Sequence, residues 1–284
     1  ARYIERNCGV QGSLTDIARR LGCSNRHLRR VFEDAYHVRP VEYRQTCRLL
    51  LAKSLLTDTD LSVADVAYSA GFGSLRRFNE VFRRRYRLTP TALRSQARLN
   101  RADGDTVQLS LGYRPPYRWD LILKFLARRA IPGVEKVEED RYARTIRLRS
   151  SGRDLTGWVA VGNDSEHNRL AVAVSASLLS ALPVVLDGIK NLFDLHCEPD
   201  TVAGALTSMD DSTLGPFIPG TRVPGCFDAF ETAVLAVLGQ QVTVQAARTL
   251  AGRLVQALGS PVDTGIDGLT TTFPTVQELL NLDG

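Results

Sequence analysis

The chain has 284 residues, of which 44% are hydrophobic and 24% are charged. This length predicts about two domains, and this composition excludes an intrinsically disordered chain. The longest stretch without a charged residue, Leu170–Leu186, contains three serines and a proline and is too short to span a bilayer comfortably, so we expect no membrane partner. The chain begins with Ala1, and its single methionine is Met209. We therefore also expect it to be part of a longer protein.

The positive charge of the chain is concentrated in its first third. Residues 1–100 hold 19 Lys and Arg against 9 Asp and Glu, whereas the remaining residues carry a net negative charge. Clustered arginines neutralise phosphates and release counterions, so this distribution favours a nucleic acid as partner. A merely solvated basic surface is the alternative.

The five cysteines and four histidines predict no metal site and no cofactor in this chain. No two cysteines are closer than 15 residues, and the histidines do not have the spacing of metal ligands. An odd number of cysteines without a secretion signal is typical of reduced thiols. We therefore expect a cytoplasmic protein.

The first hundred residues contain an internal repeat. The segment Leu14–Ala18 matches Val63–Ala67, and Gly22 then pairs with Gly71. Each copy opens with Ser-x-x-Asp, which caps a helix, and continues through the glycine that ends this helix and a serine that caps a second one. A short helix, a turn and a second helix form a helix-turn-helix motif. The leucine-rich segment Pro40–Leu56 predicts one helix that connects the two copies.

The second helix of each copy has an apolar face and a charged face. The apolar faces are predicted to bury Leu28, Val31, Phe32 and Ala35 in the first copy and Leu75, Phe78, Val81 and Phe82 in the second. The candidate DNA-binding residues are Asn25, Arg26, Arg29 and Arg30 in the first copy and Ser74, Arg76, Arg77 and Glu80 in the second. Arginine and asparagine can read guanine and adenine edges in the major groove, so we interpret both helices as recognition helices. Solvated faces of ordinary helices are the alternative.

The stretch Val66–Ser74, with the sequence VAYSAGFGS, and the closing residues Arg87–Pro90 resemble the AraC-type DNA-binding domain. The resemblance covers Leu14–Leu93. It implies that the two second helices enter successive major grooves on one face of double-stranded DNA, about 34 Å apart. It also implies a bacterial, nucleoid-associated regulator that acts on an operator, with RNA polymerase as a further partner. The exposed residues of the two copies differ, so this operator need not be palindromic.

Residues 101–284 predict a different architecture, which begins after a polar linker at Arg101–Thr106. Strands are predicted at Val107–Leu111, Val134–Glu138, Tyr142–Arg149, Trp158–Val161 and Leu170–Ser175, and helices at Trp119–Ala130 and Leu182–Asp194. These elements favour a small antiparallel sheet with helices on one face. From Val202 onward the pattern is entirely helical, most clearly at Ala229–Leu238 and Val244–Leu258. The chain is therefore predicted to be multidomain: an all-α double helix-turn-helix domain (1–100), an α+β domain with a small antiparallel sheet (107–200), and an incomplete all-α domain (201–284).

Two strings in this region, Leu111–Trp119 followed by Phe125 and Val223–Thr243, resemble the AlkA-type 3-methyladenine DNA glycosylases of the helix-hairpin-helix superfamily. Such enzymes flip a damaged base into an aromatic cleft. The resemblance implies that Phe125 lines the base pocket and that Gln241, next to Gln240, inserts into the gap that the flipped base leaves in the duplex. The alternatives are that Phe125 is a core residue of an amphipathic helix and that the glutamines satisfy backbone groups at a turn.

The catalytic aspartate of that family follows a glycine-rich hairpin, and neither motif occurs before Gly284. Asp228 and Glu231 belong to an earlier helix, and the resemblance gives neither of them the catalytic role. We therefore expect no catalytic residue in this chain and no activity from it alone. Ada regulators, to which the first domain is similar, carry a zinc-binding module before their AraC-type domain, and the sequence before Ala1 leaves room for one.

Two functions follow from these predictions. The first is a transcriptional regulator fused to an alkylbase DNA glycosylase, with operator DNA and alkylated DNA as partners in the adaptive response to alkylation. The second is an AraC-type transcription factor that uses residues 107–200 as an effector or partner domain. The codons after Gly284 distinguish them, because a glycine-rich hairpin followed by an aspartate favours the repair function and a stop codon favours the regulator.

Overall fold

A computed structural model describes residues 1–9, 13–59, 61–97, 106–150, 153–207 and 217–281. The chain divides into two compact units, Ala1–Val107 with Leu179–Asp187 and Gln108–Leu178 with Gly188–Gly284. The predicted linker lies outside the described residues, apart from Thr106, which begins the first strand.

The described part of residues 1–97 contains seven helices. They are α1 (Arg2–Arg6), α2 (Leu14–Arg20), α3 (Asn25–Tyr36), α4 (Pro40–Asp58), α5 (Val63–Ser69), α6 (Leu75–Tyr86) and α7 (Pro90–Ala97). Helices α2 and α3 form the first predicted copy, and α5 and α6 form the second. The single helix α4 connects them, which confirms the prediction for Pro40–Leu56.

Serine side chains cap the helices of both copies, as predicted. Ser13 accepts a hydrogen bond from the backbone amide of Asp16, whose carboxylate in turn accepts one from the Ser13 amide. Ser62 caps α5 in the matching position. Ser24 and Ser74 cap α3 and α6 by accepting hydrogen bonds from the third residue of each helix. Each cap stabilises its helix by about 1 kcal/mol, so local sequence fixes where these four helices begin.

The two second helices are buried to different extents. In α6 the side chains of Phe78, Val81 and Phe82 are at most 4% exposed, as predicted. In α3 the side chain of Val31 is 47% exposed and Ala35 is also exposed, so their predicted burial is wrong.

The turns of the two copies account for part of this difference. In the second copy, the ring of Phe72 packs edge-on against Phe78, with 5.0 Å between the ring centroids. The matching residue of the first copy is Cys23, whose side chain is much smaller. The first copy therefore builds a smaller apolar core, in which Phe32 packs with Ile4 of α1 and with residues of α2.

The two turn glycines predict a measurable difference between the copies. Gly22 and Gly71 both have positive φ, of 66° and 83°. A Cβ added to Gly22 would meet no atom within 4 Å, whereas one added to Gly71 would lie 2.8 Å from the carbonyl oxygens of Cys8 and Gly9. Gly22→Ala should cost about 1 kcal/mol for the left-handed backbone. Gly71→Ala should cost at least about 2 kcal/mol, because residues 8–9 must also move.

Calorimetric unfolding of the full chain measures both losses in the transition of the first unit. Gly73→Ala is the control, since Gly73 has no positive φ and a Cβ there would meet no atom within 4 Å. Equal losses for Gly22→Ala and Gly71→Ala would contradict the packing of residues 8–9 on the second turn.

The second half of the chain contains the five predicted strands in one sheet, in the order β1-β5-β4-β3-β2. The elements are β1 (Thr106–Gly112), α8 (Trp119–Arg129), β2 (Glu135–Glu138), β3 (Arg141–Ser150), β4 (Arg153–Asp164), β5 (Arg169–Ser175), α9 (Leu182–Leu192), α10 (Pro199–Thr207), α11 (Ala229–Leu238), α12 (Val244–Leu258) and α13 (Val276–Leu280). Strands β2 to β5 pair as an antiparallel meander. The Phe193 ring contacts Trp119 of α8 and Tyr142 of β3, so α8 and the segment after α9 cover the same sheet face.

The region after Val202 is not entirely helical, which corrects the prediction. Residues 217–228 and 259–275 contain no helix, and Pro261 and Thr271 form an isolated antiparallel bridge. Prolines within these segments, including Pro219 and Pro224, cannot donate a helical hydrogen bond and interrupt the helices. Helices α11 and α12 confirm the two clearest predicted segments.

Candidate nucleic-acid interface

The first candidate surface is the outward face of α3. The residues Asn25, Arg26, Arg29, Arg30, Glu33 and Asp34 line a shallow groove of about 400 Å³. Within the part of the chain that the structure describes, the guanidinium groups of Arg26 and Arg29 form no ion pair, and that of Arg30 lies 3.5 Å from the His27 ring nitrogen. The structure therefore presents all three predicted arginines of α3 on one exposed groove.

Asn25 lies at the start of this groove and is held in place by α2. Its side-chain Nδ2 donates to Oγ1 of Thr15 at 3.2 Å. Its Oδ1 is buried and has no hydrogen-bond partner among the described residues. Because the amide is already oriented, Asn25 is less free to read a base than the neighbouring arginines.

The outward face of α6 differs from that of α3, because one of its two candidate arginines forms an ion pair. Arg77 forms an exposed ion pair with Glu80 at 3.3 Å, and the Ser74 hydroxyl is used as the cap of the helix. Exposed pairs of this kind contribute little stability, so a phosphate or a base can displace Glu80 at low cost. Arg76 is exposed and, among the described residues, forms no ion pair. Asn79 is also exposed and lies 50 residues after Arg29, the same separation as that between the capping residues Ser24 and Ser74. This separation could have identified Asn79 as a further candidate.

Phe125 lies on α8 with 38% of its surface exposed. The buried residues of α8 are Trp119, Ile122, Leu123 and Leu126, and Phe125 is not among them. The Arg129 guanidinium covers its ring, with the guanidinium carbon 3.8 Å from the ring centroid. Among the described residues no other aromatic ring contacts Phe125, so the structure shows one aromatic wall rather than a closed cleft.

Gln240 and Gln241 lie in the turn between α11 and α12, and both are exposed. Gln241 has a positive φ of 58°. Within the described ranges, neither side-chain amide forms a hydrogen bond, so the alternative that the glutamines satisfy backbone groups is not observed. The turn therefore projects two unengaged amides at the surface.

The helix that carries Phe125 and the helix that follows Gln241 pack together. Ile131 and Val134, just after α8, form an apolar cluster with Ala251 and Val255 of α12. Nε of Arg248 donates to the carbonyl oxygen of Ala130 at 2.7 Å. These contacts hold the Phe125 helix and the Gln241 turn within one packed unit.

A buried charged cluster links β3 to α11. Arg144 donates to the Glu231 carboxylate at 2.6 Å and lies 3.7 Å from the Glu135 carboxylate. Burial raises the pKa of Glu231, and the Arg144 guanidinium opposes this rise. Asp228 caps α11 by accepting a hydrogen bond from the Glu231 amide at 2.9 Å. Both carboxylates of this segment are thus engaged in holding α11.

The described residues contain no group of three side chains that could hold a metal ion, and the five cysteines form no disulfide there. No helix in the described ranges is long and apolar enough to cross a bilayer.

Comparison with known proteins finds similarity in both parts of the chain. Residues 17–96 match the family model of a helix-turn-helix domain, and residues 108–228 match that of the AlkA N-terminal domain. A probable bifunctional transcriptional activator/DNA repair enzyme AlkA from Mycobacterium tuberculosis is 35% identical over 281 residues, which cover 97% of this chain and 54% of that protein. DNA-3-methyladenine glycosylase 2 from Escherichia coli is 38% identical over 174 residues, which cover 61% of this chain and 58% of the enzyme.

A probable transcription factor from Proteus vulgaris, PqrA, is 34% identical over 91 residues, or 32% of this chain and 73% of that protein. The chain spans little more than half the length of the two repair proteins that it matches.

Proposed function

Because the chain belongs to the AraC-type helix-turn-helix family over residues 17–96 and carries an AlkA N-terminal domain over residues 108–228, we propose that it acts in a DNA-binding transcriptional regulator fused to an alkylbase DNA glycosylase. The observation that carries the regulatory part is the groove on α3, where three arginines lie on one exposed face of a capped helix. Residues 1–100 bind an operator in this proposal, and residues 107–200 and 201–284 recognise alkylated DNA.

The first experiment tests whether these arginines read bases. Arg26→Ala and Arg76→Ala should each weaken binding to a duplex selected from a randomised pool by about 1–3 kcal/mol, because a bidentate contact to guanine is lost. The loss on random duplex should be smaller, since a phosphate contact is shared by every sequence. Fluorescence anisotropy at fixed salt measures both affinities.

The matched control for this experiment is Arg149→Ala. Arg149 is an arginine of β3 with 78% of its side chain exposed, so the change removes the same charge far from the proposed groove in sequence. Equal losses of Arg26→Ala on selected and random DNA would assign Arg26 to the phosphate backbone. Absence of any selected duplex would contradict the regulatory function itself.

The repair part of the proposal is supported by the unit that carries Phe125 and Gln241. An alkylated purine carries positive charge, and an aromatic ring attracts a cation more strongly than it attracts a neutral base. Phe125 offers such a ring, which already attracts the Arg129 guanidinium that an alkylated base would have to displace. The unengaged Gln241 amide can fill the gap that a flipped base leaves. Since Asp228 caps α11 and Glu231 is paired with Arg144, neither carboxylate is available for the chemical step. The chain therefore supplies recognition of the lesion and not its excision.

The regulator in this proposal also contacts RNA polymerase, because operator binding alone does not start transcription. Through its operator it also associates with the nucleoid. Co-purification of polymerase with the chain on operator DNA, compared with the chain carrying Arg26→Ala, tests this contact.

The match of residues 108–228 to a repair-protein domain favours the fused protein over an AraC-type factor with an effector domain.

A further inference from the structure

Helix α11 has an unusual distribution of charge and burial. Glu231 is its single charged residue, and eight of the other nine are apolar. Yet Glu231 is only 7% exposed, whereas Val237 is 68% exposed. A helix that is apolar all round gains similar hydrophobic free energy in several rotations about its axis. Leu235 and Leu238 pack against the apolar cluster that contains Ala251 and Val255, but this contact alone determines the rotation only loosely.

The Arg144–Glu231 ion pair favours one rotation of α11 over the others. The side chains of Arg144 and Glu231 are 4% and 9% exposed, and the distance between Nη2 and Oε2 is 2.6 Å. The guanidinium carbon also lies 4.5 Å from the centroid of the Phe227 ring, just before α11. A buried carboxylate that loses its partner is strongly unfavourable, so only the rotation and axial position that bring Glu231 to Arg144 are acceptable.

We propose that the Arg144–Glu231 pair sets the rotation and axial position of α11 and thereby positions Gln241 at the far end of the helix. Arg144 and Glu231 are positioning residues in this proposal, which rests on the proposed role of Gln241. A shift of one residue along an α-helix turns it by about 100° and moves it by about 1.5 Å. Such a shift would carry the Gln241 turn away from its place beside α12.

A positioning role differs from a purely stabilising one in a testable way. Replacing a buried ion pair by apolar residues often leaves stability unchanged, whereas the directional constraint is lost. The double variant Arg144→Leu/Glu231→Leu of the full chain should therefore unfold within a few degrees of the unmodified chain, because Glu135, which also lies beside Arg144, keeps its hydrogen bonds from the Ile131 amide and the Tyr142 hydroxyl. Its preference for a duplex with a tetrahydrofuran abasic analogue over the matching intact duplex should fall at least fivefold. Hydrogen exchange in residues 229–243 should become faster.

The matched control is Arg147→Leu/Glu278→Leu. Arg147 also lies on β3 and pairs with a glutamate of a following helix, at 2.8 Å, but that helix is α13 and does not carry Gln241. The control should leave the abasic preference and the exchange of residues 229–243 unchanged. Glu231→Gln is the milder variant, which can retain a hydrogen bond to Arg144 without the charge. It should therefore retain most of the abasic preference, and Arg144→Met/Glu231→Met replaces the double variant in both measurements if the double variant does not fold.

The outcomes separate this inference from the function on which it rests. Loss of preference with a preserved melting temperature supports the positioning role, and an unchanged preference overturns it. If the unmodified chain shows no abasic preference, the proposed role of Gln241 fails, and hydrogen exchange decides the positioning role. If residues 229–243 exchange faster in the Arg144/Glu231 variant than in the Arg147/Glu278 control, the positioning role is supported. If the two variants exchange equally fast, the positioning role is overturned.

Discussion

No release of 3-methyladenine from alkylated DNA is expected from the 284-residue chain. Departure of the base builds positive charge on the sugar, and a carboxylate placed beside that charge is needed to stabilise it. The two carboxylates of the segment that carries the proposed site are otherwise engaged, Asp228 as a helix cap and Glu231 with Arg144. We therefore expect release at the uncatalysed rate, measured by chromatography of free bases after incubation with methylated DNA.

A positive control and two carboxylate variants make this measurement interpretable. DNA-3-methyladenine glycosylase 2 from Escherichia coli, assayed in parallel, shows that the substrate and the detection are adequate. Asp228→Asn and Glu231→Gln are measured alongside the unmodified chain. Release by the unmodified chain that disappears in either variant while binding to the abasic duplex is retained would identify that carboxylate as catalytic and would overturn our assignment of both to helix positioning.

The features that the sequence predicted well are those whose cause is local. Strand β5, predicted at Leu170–Ser175 and observed at Arg169–Ser175, follows from the alternation of buried and exposed residues along a half-buried strand. The serine caps of α2, α3, α5 and α6 depend on residues at most three positions apart. For the same reason the repeat placed both helix-turn-helix motifs correctly.

The features that the sequence missed depend on partners distant in the chain. Val31 belongs to an apolar helical face, yet its burial depends on how large a core α1 and α2 provide. Glu231 was recognised only as a non-catalytic carboxylate, because its partner Arg144 lies 87 residues earlier on a different element. No local pattern indicates that a single charged residue is the buried one in an apolar helix. The Arg144–Glu231 pair therefore required the structure, whereas the local sequence predicted most of the fold and of the candidate interface residues.

The Gln241 side chain is expected to contribute to lesion binding and not to folding. It is exposed, forms no hydrogen bond within the described residues, and sits on a turn whose backbone has a positive φ of 58°. Glutamine and alanine are similarly strained there, so Gln241→Ala should leave the melting temperature nearly unchanged. Gln241→Gly relieves that strain and should stabilise the chain by up to about 1 kcal/mol.

Both Gln241 variants should lower the affinity for a duplex with an abasic analogue by about tenfold, which corresponds to about 1.4 kcal/mol. The reason is that an unfilled gap leaves the partner base unstacked and without a hydrogen bond, and an amide side chain can supply that bond. Gln245→Ala on the exposed surface of α12 is the control and should change neither affinity nor stability. Binding of the selected operator duplex should be unaffected by all three changes, because residues 1–100 carry it. If Gln241→Ala lowers the melting temperature and spares binding to the abasic duplex, Gln241 is structural and the inserted side chain lies elsewhere.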